Sequence, residues 1–72
     1  MDRSIQLLQH LVQAEWHVAR GEQHISDLEL RIAEFDARGH DATLARALLE
    51  TFRITQAQHV EHRDFILRAL AR

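Results

Sequence analysis

Histidine is the residue type in this chain with the most chemical potential. Six histidines occur in 72 residues and there is no cysteine. His59 and His62 are spaced three apart, which places both imidazoles on one face of a helix. His10, His17 and His24 recur every seven residues. Neutral imidazole suits zinc, copper, nickel or iron, whereas the lack of cysteine removes thiolate sites and disulfides. A transition-metal reading joins His59 and His62 to His17, with Glu22, Glu61 or Asp64 completing a tetrahedral set. Haem ligation by one of these histidines is a variant of that reading. The strong signatures are absent, however: there is no HExxH, and Glu61-His62 lacks the repeated ExxH with partner glutamates that a carboxylate-bridged site needs. Within one helix, His10, His17 and His24 advance by about 10.5 Å per step. Two of them therefore cannot share an ion, and the column reads as the flanking edge of an interface.

These side chains need long helices to position them. Leu7, Leu11, Ala14, Val18, Gly21, Ile25, Leu28, Ile32 and Phe35 alternate steps of three and four, the apolar seam of a coiled-coil-like helix. Immediately before the seam runs a basic column of Arg3, His10, His17, His24 and Arg31. Immediately after it runs a mostly acidic one of Leu8, Glu15, Glu22, Glu29 and Asp36. Proline is absent, and only Gly21 and Gly39 could interrupt a helix. The heptad phase survives across Gly21, so the expectation is one continuous helix over 2–38. A turn over 39–41 follows, with Gly39 in the left-handed position after the helix end. Asp41 then caps a second helix over 42–71. A connection this short makes the helices antiparallel neighbours. The fold expected for 1–72 is a single all-α domain, an antiparallel two-helix hairpin.

The second helix is less regular. Ala45, Leu48, Leu49, Phe52, Ile66, Leu67, Ala69 and Leu70 form its apolar face. Its middle turns Thr55 or Gln56, His59, and His62 or Arg63 inward. In a hairpin turning near residue 40, facing residue numbers sum to roughly 80. That arithmetic sets Leu28 against Phe52, Gly21 against His59, and His17 near Arg63 and Asp64. Gly21 and Phe52 are thus packing residues, the glycine leaving room for the His59 imidazole. Arg31 with Glu50 is the expected edge ion pair.

A second stripe, Ile5, Leu8, Val12, Trp16 and Ala19, lies off the main seam. A lone hairpin has no element to cover it, and an apolar patch containing tryptophan marks an interface. Below roughly 70–80 residues one core rarely supplies more than about 3–5 kcal/mol. Two hairpins dimerising into a four-helix bundle would solve both problems.

Several function classes are excluded. Net charge is −2 with the signs mixed, which provides no footprint for nucleic acid or an anionic membrane. No apolar run approaches the roughly 18 residues of a membrane span, and no signal segment is visible, so the expected compartment is the cytoplasm. No nucleophile–base pair or glycine-rich phosphate loop occurs, and a thin bundle offers little pocket, so no catalytic residue is assigned and the chain is not read as an enzyme. The expected partner is the chain itself, as a homodimer or higher even oligomer, with a further protein as a second possibility. The expected function is protein–protein contact, and a histidine-based metal or haem bundle is the alternative.

The segments His17-Val18-Ala19-Arg20-Gly21-Glu22-Gln23-His24-Ile25, Gly39-His40-Asp41, Ala47-Leu48-Leu49-Glu50-Thr51-Phe52 and Thr55-Gln56-Ala57-Gln58-His59 resemble a group of short, uncharacterised proteobacterial helical-hairpin proteins of unknown function. The resemblance spans most of the chain. It implies a bacterial, stand-alone small protein and a structural hairpin. No activity is attached to the group, so no residue role comes with it.

Overall fold

The computed structural model describes residues 2–72. Two helices, α1 (Arg3–Ala37) and α2 (Thr43–Leu70), pack side by side as a hairpin, and the described residues contain no strand. The rod measures 57 × 15 × 14 Å. Asp2 caps α1, its carboxylate accepting from the Ser4 amide at 2.9 Å. The helix runs through Gly21 without a break, because an isolated glycine costs only about 1 kcal/mol against alanine.

α1 ends in a Schellman motif. The His40 amide donates to the Phe35 carbonyl at 2.8 Å and the Gly39 amide to the Asp36 carbonyl at 3.1 Å, which satisfies carbonyls the helix leaves free. Gly39 sits at φ +70°, the left-handed region that a side chain disfavours. His40 folds its ring toward Phe35, with centroids 6.1 Å apart. α2 starts one residue later than the sequence suggests. Ala42 occupies the cap position, and Asp41 acts from one residue further out, accepting from the Thr43 amide at 2.9 Å and the Thr43 hydroxyl at 2.6 Å. Ala42 is itself buried, in a cluster with Ile32 and Leu49.

Burial follows the α1 seam without exception. Leu7, Leu11, Ala14, Val18, Gly21, Ile25, Leu28, Ile32 and Phe35 are buried or half-buried, and every other α1 residue is exposed. α2 keeps one seam through its whole length, with Val60, Asp64 and Ala69 half-buried beside it. Ala45, Leu49, Phe52, Gln56, His59, Arg63, Ile66 and Leu70 turn inward at steps of three and four. The polar stretch does not break the phase; it occupies it. Gln56 and Arg63 take the seam positions, while Thr55 and His62 are exposed. Leu48 and Leu67, expected on the apolar face, are exposed as well.

Facing residues are displaced by about one helical turn from the expected register. Gly21 meets Gln56 instead of His59, and His17 meets His59 instead of Arg63. The offset is set at the turn, where Ala42 enters the core and advances the α2 seam relative to α1.

Candidate functional site

The middle of the hairpin concentrates the polar chemistry. Gly21 opens a notch in α1, and the Gln56 side chain enters it so closely that a Cβ at Gly21 would overlap the Gln56 amide. From there Gln56 Nε2 donates to the Val18 carbonyl at 2.8 Å. Its Oε1 is buried without a hydrogen-bond partner. The glycine therefore does have a packing role, but the expected occupant, His59, is replaced by Gln56. A polar side chain at one seam position ties the register to that layer, since a slip would bury the amide with no partner at all.

His59 instead meets His17. Their rings stack with centroids 5.1 Å apart and planes 9° apart. Trp16 packs edge-on against His17 at 5.2 Å, and the Arg20 guanidinium lies 5.4 Å from the Trp16 ring. Such a cation over an indole face contributes about 0.5–1 kcal/mol at an exposed site. A cleft of about 330 Å³ runs between these residues, Gly21 and Phe52. A neighbouring cleft of about 420 Å³ is lined by His10, His17, His59 and His62, with Gln13 and Ala14.

Of the three candidate metal ligands, the structure brings His17 and His59 into contact and places His62 on the same cleft. They do not form a ligand set as placed. Imidazole lone pairs lie in the ring plane, and two stacked parallel rings direct them side by side instead of toward one point. Among the described residues no group of three or more His, Cys, Asp or Glu is arranged to hold a metal ion. His24 departs from this level and packs on Phe52, at 5.8 Å between centroids. His17 and His24 thus make ring contacts within the hairpin, and no histidine of the column makes an ion pair among the described residues.

The acidic column behaves differently. Asp36 receives both contacts of the Arg46 guanidinium, at 2.7 and 2.6 Å, and Glu29 accepts from Arg53 at 3.1 Å. Arg63 bonds the adjacent Asp64 at 3.1 Å. The expected Arg31–Glu50 pair does not form, because the register sets Arg46 and Arg53 beside the acids that follow the α1 seam. The side chains of the Arg46–Asp36 and Arg53–Glu29 pairs are about half exposed, and such pairs contribute between about 0 and 1 kcal/mol each.

Asp41 carries the resolved electrostatic shift. Hydrogen bonds from the Thr43 hydroxyl and amide, with the nearby Arg46 charge, hold its carboxyl below the ordinary carboxylate value. A lowered folded pKa contributes stability above the unfolded value of about 3.9, and that contribution is lost as pH falls through the folded value. Asp41→Ala should therefore lower the melting temperature at pH 7, and the gap to the wild type should close below about pH 3.9. A gap constant from pH 7 to pH 2.5 would contradict the assignment.

The proposed interface residues lie where solvent reaches them. Ile5, Leu8, Val12, Trp16 and Ala19 are all exposed, Trp16 at 58%. Sequence reasoning missed two features: Gln56 as the occupant of the Gly21 notch, and a cleft around Leu28, Phe35, Ala45 and Phe52. Extending the α2 phase from Leu49 and Phe52 through the polar stretch to Ile66 would have chosen Gln56 over Thr55 and Arg63 over His62. Among the described residues no helix is long and apolar enough to cross a membrane. No family model matches the chain, and no curated protein or solved structure shows significant similarity to it.

Proposed function

We propose that the protein is a self-associating helical hairpin that acts through protein–protein contacts, as a small adaptor or regulator. The carrying observation is how much apolar surface one hairpin leaves uncovered. Ile5, Leu8, Val12 and Trp16 are all at least half exposed, and we assign them with Ala19 to the contact surface. The simplest product is a dimer that forms a four-helix bundle, with higher even assemblies built from it. Metal binding by His17, His59 and His62 would require the His17 and His59 rings to turn away from their present stack, so the geometry favours the contact reading.

Sedimentation velocity on untagged protein at micromolar concentration tests this. The expected particle contains two or more chains. A compact monomer at that concentration would overturn the reading.

A further inference from the structure

The two edges of the hairpin differ on the half nearest the turn. Glu29 and Asp36 follow the seam residues Leu28 and Phe35, and there the ion pairs with Arg53 and Arg46 close the edge. Asp27 and Arg31 precede the seam residues Leu28 and Ile32, and so flank the seam on its other side. That side is open. It holds a cleft of about 370 Å³ whose lining includes half-buried Leu28, Phe35, Ala45 and Phe52, with exposed Asp27 and Arg31 at its margin.

We propose that this cleft is a second contact surface, occupied by the same cleft of another copy of the chain across a two-fold axis. The inference rests on the self-association reading and adds a face to it, distinct from Ile5, Leu8 and Val12 at the opposite end of the rod. Two observations support a second copy as the occupant. Leu48, 46% exposed, lies on the same helical face as the lining residues Ala45 and Phe52, at spacings of three and four. Each copy therefore presents an apolar knob beside an apolar hole, which a two-fold contact requires of one surface. The margin carries His24, Arg31 and Asp27, which accepts from Gln23 Nε2 at 2.9 Å, and none of the three makes an ion pair within the described residues. A two-fold axis sets Asp27 of one copy beside Arg31 of the other, and the reverse, so the charges are self-complementary. Two faces used together carry the assembly beyond a dimer.

Analytical ultracentrifugation of the full chain tests this. The wild type is expected as more than two chains and Leu48→Asp as two, with circular dichroism showing unchanged helix content. Asp27→Arg should weaken the same contact about tenfold by placing like charges together, and the double variant Asp27→Arg with Arg31→Asp should restore it. An oligomeric wild type whose mass is unchanged by Leu48→Asp would overturn the cleft assignment and leave the wider reading standing. A monomeric wild type would overturn both.

Discussion

Leu49→Ala is expected to leave the chain largely unfolded at room temperature when it is dilute enough not to associate. Leu49 is 8% exposed and packs with Ile32 and Ala42, with Ile25, Leu28, Phe35 and Ala45 around them. Removing a buried leucine side chain costs about 2–5 kcal/mol, because transfer energy and cavity energy add. A core of this size supplies only about 3–5 kcal/mol in total. The substitution therefore removes most of the margin, where the same loss in a larger domain would be tolerated. Ile54→Ala serves as the control. Ile54 is exposed, and surface substitutions usually stay within about 0.5 kcal/mol. Urea titration followed by circular dichroism separates the two. A Leu49→Ala midpoint equal to that of Ile54→Ala would show that the hairpin does not depend on this cluster.

Val12→Asp is expected to dissociate the contact made by the Ile5 to Ala19 stripe, weakening it by more than a hundredfold. Val12 is 68% exposed in the hairpin. In an isolated hairpin an aspartate there meets water and changes stability little. In an assembly that covers the stripe, the same carboxylate is buried without a partner. An uncompensated buried charge costs about 3–5 kcal/mol, and every 1.4 kcal/mol is tenfold in affinity. One substitution thus gives opposite results in the two cases. The readout is sedimentation mass against concentration, with helix content as the check on folding. Retained mass with Val12→Asp would remove the stripe from the interface.

How much of the molecule was legible depends on the range of the signal. The α1 seam was readable to the residue, because helical periodicity repeats within a few residues and apolar side chains mark it. Gly39 was readable for a similar reason: a left-handed residue after a long helix calls for glycine. The α2 seam was readable at its ends, and in its middle only to within two alternatives. There Gln56, His59 and Arg63 hold the inward positions, and a polar side chain does not by itself distinguish Gln56 from Thr55 or Arg63 from His62. The exposed stripe from Ile5 to Ala19 was visible as surplus apolar arc. The facing cleft was not, because it needs residues from both helices at one level.

From the sequence alone follow two long helices, a fold-back at Gly39, the inward face of α1 and the surplus apolar stripe. These rest on local backbone preference and periodicity, which each helix carries within itself. The tertiary structure decided which residue meets which. That depends on the axial offset between the helices, set at the turn where the Schellman motif ends α1 and Ala42 enters the core. A shift of one turn in that offset keeps every apolar residue facing inward and still exchanges the partners. It moves Gln56 in place of His59 into the Gly21 notch and stacks His59 on His17. Hydrophobic burial is nearly indifferent to such a shift, whereas hydrogen bonds and ion pairs are not.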